Sequence, residues 1–412
     1  MEKRSLRFML GRTIAFTAVA VALVNVAWAE HRYTVLHAFQ DNPAAIPFAT
    51  LVADSAGNLY GTAAASAADS CGSQGCGAVF KLTLEPKDKW KYSVIHRFTG
   101  PDGNTPLGSL IFDGSGNLFG TTSSGGAHGL GTVFELSPSG SGWKESVLYS
   151  FAAPDGDADF PQGGLIFDNE GNLYGTAEGG AHGKGAVFQL KPSGGTWHEA
   201  LIYNFTGGSD GAGADGTLTR DSAGNLYGTA GAGGQSGQGV LFELAPSGGT
   251  WTETVLSSFS GGADGGDPNG GVTFDAAGNL YGTTLFGGLS SCDGGSGCGT
   301  VFQFTPSKGG GTLTTIHTFK GTDGSNPFGV LLFDSSGSLY GTTTDGGIDY
   351  GVVFKLSPKS GGGWTETLLH QFTLQDGAFP YGGVISNGAG TLYGTAKNGG
   401  ALEYGVVFKI SP

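Results

Sequence analysis

Gly57-Asn58-Leu59-Tyr60-Gly61-Thr62 is the stretch on which the reading of the fold turns. It returns as GNLFGT from Gly116, as GNLYGT from Gly171, Gly224 and Gly278, and in looser form as GSLYGT from Gly337 and GTLYGT from Gly390. The aromatic positions are 60, 119, 174, 227, 281, 340 and 393, spaced 53 to 59 residues apart. Seven copies therefore span nearly the whole chain beyond residue 29. Repeats of this kind are units that cannot bury both faces alone and must stack on their neighbours.

The copy around Tyr174 shows the grammar of one unit. An apolar strand runs from Gly163 to Asp168, and a turn follows over Asp168-Asn169-Glu170-Gly171-Asn172. Asp and Asn bond locally there and Gly supplies positive φ. A second strand covers Asn172 to Thr176. The loop Gly179-Gly180-Ala181-His182-Gly183 leads to a third strand, Ala186 to Leu190, then a turn at Lys191–Gly195 and a fourth strand from Trp197 to Phe205. No helical period interrupts the pattern. Four short antiparallel strands per repeat, seven times over, predict an all-β, seven-bladed β-propeller.

The ends predict how the ring closes. The outer-strand motif occurs at Tyr33–Phe39, Tyr92–Phe98, Glu145–Phe151, Glu199–Phe205, Glu253–Phe259, Leu313–Phe319 and Glu366–Phe372. The first copy precedes the first GNLYGT and the last GNLYGT has none after it. The N-terminal strand should therefore complete the last blade by pairing residues 33–39 with 405–411, which removes two exposed edges.

Before the propeller, Lys3, Arg4, Arg7 and Arg12 precede an apolar run from Thr13 to Val26, and Ala27-Trp28-Ala29 offers a small-x-small cleavage pattern. Residues 1–29 read as a signal peptide and 30–412 as a single propeller domain. With no cysteine at the new N-terminus and no apolar tail, the expectation is soluble export to the periplasm or beyond, with no membrane insertion after cleavage, as a monomer. Cleavage removes four basic residues and one acidic one, moving the net charge from −14 to about −17. Such acidity disfavours nucleic acid and anionic membrane surfaces, both of which reward Lys and Arg. The cysteines fall in two close pairs, Cys71/Cys76 and Cys292/Cys298. Export favours two local disulfides over a four-cysteine zinc site. Each short loop would contribute about 2 kcal/mol in the chain-entropy treatment.

The pattern D-x-x-G-N-L-Y-G-T-T, followed by GG and G-x-V-F-x-L-x-P, resembles the GloVer tandem repeat of exported bacterial proteins over about residues 32–412. The resemblance implies a secreted repeat protein without an established activity. More distantly, the D-x-x-G-N-L-Y segment is similar to NHL-type, streptogramin-lyase-like and gluconolactonase-like propellers, an analogy of fold only.

In propeller topology the loops between second and third strands share a face with the connections between blades. The inter-blade set carries Asp102, Asp155, Asp210, Asp264, Asp323 and Asp376, with Asp41 before Asn42; the within-blade set carries His128, His182, Asp349, Tyr350, Glu403 and Tyr404. The aspartates read as Asp-Gly turn formers, or as a carboxylate ring able to hold Ca²⁺ at the channel mouth. A second row, Asp54, Asp113, Asp168, Asp221, Asp275 and Asp334 with Asn387, reads as turn structure on the opposite face. His37, His96, His317 and His370 share one repeat position on separate blade rims and read as structural; Tyr149, Tyr203 and Ser257 fill it elsewhere. His128 and His182 lie in GGAHG loops of adjacent blades and are the candidates for a metal or acid–base pair. Trp90, Trp143, Trp197, Trp251 and Trp364 read as inter-strand packing rather than a sugar-stacking row. No motif nominates a nucleophile, base and oxyanion donor together. The leading expectation is a non-catalytic exported scaffold that engages a glycan or protein through the loop-rich face, without a cofactor. The alternatives are a lyase or hydrolase, with or without metal assistance, at the central channel, and a purely structural envelope protein.

Overall fold

The computed structural model describes residues 31–40, 44–66, 71–73, 75–152, 157–289 and 292–412; the expected signal peptide, Asp41 and Asp155 lie outside them. The described chain forms seven antiparallel sheets. Blade 3 shows the order, from the centre outward: Ile166–Phe167, Leu173–Ala177, Ala186–Ser193 and Thr196–Asn204. In blades 1 and 6 the innermost strand is broken in two, giving five-stranded sheets. Arg32–Ala38 pairs with Val406–Ser411 in the register Tyr33↔Ile410, Val35↔Phe408 and Ala38↔Val406, so the N-terminal strand is the outer strand of blade 7. The ring closes where the sequence predicts.

Each letter of GNLYGT has a physical job. Asp168 Oδ1 accepts the backbone N–H of Glu170 and Asn172 at 2.8 and 2.9 Å, and its Oδ2 accepts Asn172 Nδ2 and the Tyr174 hydroxyl at 2.7 and 3.0 Å. The same set recurs at Asp54 and Asp275. Burial alone would raise the Asp168 pKa, but these donors outweigh it and hold the carboxylate below its usual range. The Leu side chains are buried throughout. The second Gly makes room for an aromatic ring: a Cβ at Gly61, Gly120, Gly175, Gly228, Gly282, Gly341 or Gly394 would sit 2.5–2.6 Å from Cζ of the third-strand Phe.

That Phe is also where blades meet. Phe39–Phe80, Phe98–Phe134, Phe151–Phe188, Phe205–Phe242, Phe259–Phe302, Phe319–Phe354 and Phe372–Phe408 each join the outer strand of one blade to the third strand of the next, with centroids 5.0–5.3 Å apart. Such pairs add about 0.5–1.5 kcal/mol beyond their burial. Outer-strand Trp rings pack against the aromatic of the preceding blade, as in Trp143–Tyr60 and Trp90–Tyr393, which is the packing role expected of them. Nearer the centre, the motif Thr donates to a carbonyl of the next blade: Thr62 to Gly108, Thr176 to Gly216 and, across the seam, Thr395 to Ala49 at 3.0–3.2 Å. The innermost strands approach so closely that a Cβ at Gly108 would lie 2.6 Å from Gly163 O, and one at Gly216 would lie 2.7 Å from Asn269 O.

The rim carries a second joint. Every outer strand slips register against its third strand at one place, for example between Val147 and Tyr149, because one extra residue is inserted. Just past this bulge stands the His or Tyr of the repeat. It meets an aspartate of the inter-blade turn: His96–Asp102 at 3.1 Å, Tyr149–Asp157 at 3.1 Å, Tyr203–Asp210 at 3.2 Å and His370–Asp376 at 3.2 Å. The next blade adds Glu145, Glu199, Glu253 or Glu366 from the start of its outer strand. Burial, then the neighbouring aspartate, pushes these carboxyls up, Glu199 and Glu366 to about 8, Glu145 and Glu253 to about 7. At the two junctions flanking the N-terminal strand, tyrosine replaces Glu and stacks on the histidine: Tyr33 on His370 at 3.7 Å and Tyr92 on His37 at 3.8 Å.

Two outcomes follow from these joints. Asp168→Ala orphans four donors and should cost about 2–3 kcal/mol in urea unfolding, whereas Asp168→Asn should cost about 1 kcal/mol, since Asn387 fills this place in blade 7. Equal losses would contradict the hydrogen-bond account. Glu199 holds its proton more tightly folded than unfolded, so its contribution is full at acid pH and is lost as pH rises from about 4.5 to about 8. Glu199→Gln should flatten the fall in stability over that window and leave the variant more stable than the parent at pH 8. An unchanged pH slope would refute the buried, proton-retaining Glu199.

Candidate functional site

The loop-rich face is built as the topology requires: inter-blade turns and second-to-third-strand loops interlock there, with Gly126 N donating to Gly100 O at 2.8 Å and Asn104 bridged to Ser124. Both disulfides, Cys71–Cys76 and Cys292–Cys298, form within this face, with Cα separations of 5.2 and 5.0 Å. They brace loops whose Cys76 and Cys298 carbonyls accept the backbone N–H of Thr105 and Asn326 in the next blade.

The aspartates Asp102, Asp210, Asp264, Asp323 and Asp376 do not line the channel. Each accepts the backbone N–H just after the terminal Phe of an outer strand, from Thr99, Thr206, Ser260, Lys320 and Thr373 at 2.7–2.9 Å. Their carboxylates are drawn to those strand ends rather than to a central Ca²⁺ ring. In the turn after Phe151 this place belongs to Asp157, which accepts Ala152 N at 2.8 Å. His128 and His182 are exposed loop residues, and neither joins a metal-capable cluster among the described residues. Tyr350 packs on Phe379, and the carbonyls of Tyr350 and Tyr404 accept Phe379 N and Ile46 N.

The channel itself is lined by residues that the sequence reading missed. The segment entering each innermost strand, typically x-Pro-x-Gly, sets a ring of seven side chains: Phe48, Leu107, Gln162, Asp215, Asn269, Phe328 and Tyr381. All seven are half-buried. Two residues earlier lies a second ring, at 46, 105, 160, 213, 267, 326 and 379, in which every residue has φ of 55–67°. Only Gly213 adopts that conformation without cost; for the others it stores of the order of 1 kcal/mol or more. At the end of each second strand a third set varies in the same way, with Glu178 in blade 3 and Lys397 in blade 7.

These rings break the sevenfold symmetry into two halves. Blades 6, 7 and 1 bring Phe328, Tyr381 and Phe48 together, with Phe48 stacked on Tyr381 at 4.6 Å and Phe328 edge-on at 5.3 Å from Tyr381. Lys397 Nζ lies 4.8 Å from the Tyr381 centroid, and burial lowers its pKa. Blades 3 to 5 bring Asp159, Glu178, Asp215 and Asp267 with Gln162 and Asn269. Gln162 donates to Glu178 at 2.7 Å and Asn269 to Asp267 at 2.7 Å. Burial first, then Glu178 and Asp267, raise the Asp215 pKa to about 6. One carboxylate oxygen each of Asp159 and Asp215 is buried without a hydrogen-bond partner. Gly179 and Gly231 leave the space these groups use: a Cβ at Gly179 would collide with Asp159 Oδ1, and one at Gly231 with Asp267 Oδ1. The ring of mouth residues and the glycines that follow them enclose a cavity of about 70 Å³, room for a few waters rather than a ring-sized ligand. The signal that would have found this mouth is the repeat alignment itself, at the columns where residue type changes from blade to blade.

Comparison with known proteins agrees with this architecture. No curated protein matches the chain. A crystal structure from Bacteroides uniformis ATCC 8492, described as a candidate 6-phosphogluconolactonase, is 14% identical with a TM-score of 0.50, covering 81% of this chain and 86% of that one. A protein of unknown function from Dyadobacter fermentans DSM 18053 is 12% identical with a TM-score of 0.45, covering 93% and 100%. At such identities the first likeness speaks for the fold alone. The Gloeobacter/Verrucomicrobia repeat profile matches residues 66–294 and 252–412, and the chain belongs to that repeat family.

Proposed function

We propose that this protein is an exported, non-catalytic binding scaffold that holds a neutral saccharide at the loop-face mouth of its central channel. One observation carries the reading: within a frame repeated seven times, side-chain identity changes around the mouth and sorts into an aromatic half and a carboxylate–amide half. Aromatic faces take the apolar C–H face of a sugar ring, and carboxylates and amides take its hydroxyls. The carboxylate arc and the acidity of the chain disfavour uronates, sulfated chains and phosphosugars. The small bore favours a ligand that caps the mouth over one that threads it. Tyr350 and Tyr404, on loops of blades 6 and 7, extend the aromatic side, while His128 and His182, on exposed loops of blades 2 and 3, serve as outer contacts beside the acidic side. Export draws support from the two disulfides, which persist in oxidising compartments.

A lyase or hydrolase reading has one point in its favour, the carboxyl of Asp215, which burial and the neighbouring Glu178 and Asp267 push up to about 6. It needs a second carboxylate placed across a substrate as nucleophile or base, and the carboxylates beside Asp215, Glu178 and Asp267, are each engaged by an amide, Gln162 and Asn269. A glycan array followed by calorimetry separates the readings. The expected result is saturable binding of neutral glycans without turnover, weakened about tenfold or more by Asp215→Asn and by Tyr381→Ala, a loss of about 1.4 kcal/mol or more. His128→Ala with His182→Ala should have a smaller effect. Binding of anionic glycans only, or binding indifferent to both mouth variants, would overturn the proposal. Product formation would transfer the site to the enzyme reading.

A further inference from the structure

We propose that two of the seven blade junctions, His96–Asp102–Glu145 and His317–Asp323–Glu366, are binding sites for a divalent ion of the zinc type. At each, one nitrogen and two carboxylate oxygens converge within 4.8 Å of one another. His96 Nε2 lies 3.1 Å from Asp102 Oδ2, and His317 Nε2 lies 3.7 Å from both Asp323 Oδ2 and Glu366 Oε2. A tetrahedral ion with ligand bonds of about 2.0–2.2 Å needs ligand–ligand edges of roughly 3.3–3.6 Å. The His96–Asp102, His317–Asp323 and His317–Glu366 edges match to within a few tenths of an ångström, and the remaining edges lie within 4.8 Å, before any ion draws the groups in.

The frame holds these ligands from three directions. The histidine follows the outer-strand bulge of one blade, the aspartate comes from the inter-blade turn, and the glutamate opens the outer strand of the next blade. Asp102 Oδ1 is fixed by Thr99 N and Oγ1 at 2.7 and 2.9 Å, and Asp323 Oδ1 by Lys320 N at 2.7 Å, which leaves Oδ2 turned toward the histidine. Such supporting bonds orient a metal ligand. His317 Nε2, Glu366 Oε1 and Glu145 Oε1 are buried atoms without a hydrogen-bond partner. The side chains at the His317 junction keep only 15–16% of their surface exposed. Three protein ligands leave a fourth position for water, and the mixed nitrogen–oxygen set suits Zn²⁺ better than Ca²⁺, which takes six to eight oxygens.

The other junctions supply internal controls. Where tyrosine replaces histidine, at Tyr149 and Tyr203, the phenol donates into the aspartate and no nitrogen ligand exists. Where tyrosine replaces glutamate, at Tyr33 and Tyr92, a ring stacks on the histidine. At Ser257 the next outer strand offers Leu313. Only two junctions among the described residues combine His, Asp and Glu.

Calorimetric titration of the chelator-treated full chain with Zn²⁺, with metal content measured on the same samples, tests this. The expected result is two ions per chain, a chelator-reversible rise in thermal midpoint, and a much weaker response to Ca²⁺. His96→Asn or His317→Asn should each leave one site, and the double variant should lose both, with affinity down by about tenfold or more. Glu145→Gln with Glu366→Gln gives a second route should the histidine variants fold poorly, while Glu199→Gln should leave both sites intact. No saturable uptake by the parent, or two ions retained by the double histidine variant, would overturn the proposal.

Discussion

One backbone hydrogen bond, made seven times, organises the molecule. At the entry to each innermost strand the residue two before the ring position donates its N–H to a loop carbonyl of the preceding blade. The donors are Ile46, Thr105, Phe160, Gly213, Asp267, Asn326 and Phe379; the acceptors are Tyr404, Cys76, Leu130, Lys184, Gln238, Cys298 and Tyr350, at 2.8–3.0 Å. Each donor adopts positive φ, a cost of the order of 1 kcal/mol or more for the six that are not glycine. Leaving a buried N–H without a partner would cost about as much or more, so the strained turn persists. Its carbonyl in turn accepts from the end of the second strand, as Phe160 does from Glu178 N and Phe379 from Lys397 N at 3.2 Å.

Much else serves this contact. The disulfides brace two of the acceptor loops, the Phe–Phe pairs and rim carboxylates set the spacing between blades farther out, and the inner glycines permit the close approach nearer the axis. Because only backbone atoms make the bond, the residue type at the same place can change without breaking it. Ile, Thr, Phe, Gly, Asp and Asn all occupy it. A propeller built this way can vary its mouth without loosening its ring, and that is the physical basis for seeking the ligand there.

The sequence made the frame legible because the frame repeats. Counting GNLYGT yields seven blades, and the displaced Tyr33–Phe39 strand locates the seam. The site was less legible for three reasons. Turn length after the terminal Phe varies, so the carboxylate capping the strand end is Asp157 in one turn, although Asp155-Gly156 carries the dipeptide signature. Glu145, Glu199, Glu253 and Glu366 look like exposed positions of an alternating strand, and only the neighbouring blade buries them. Variation at Gln162, Asp215 and Asn269 resembles drift until the seven columns meet around one axis. The histidines at 37, 96, 317 and 370 do stand on separate rims, as their repeat position implied, but their neighbours there fall into two kinds: Asp and Glu at His96 and His317, a stacked tyrosine at His37 and His370.

Amide hydrogen exchange resolved to single residues tests the central claim most directly, that the seam between blades 7 and 1 is a junction like the other six. The account predicts that the N–H of Ile46 is protected to the same degree as those of Thr105, Phe160 and Phe379, and that protection falls together when the ring unfolds. Rapid exchange at Ile46 and along Arg32–Ala38, with the other junctions still protected, would contradict it.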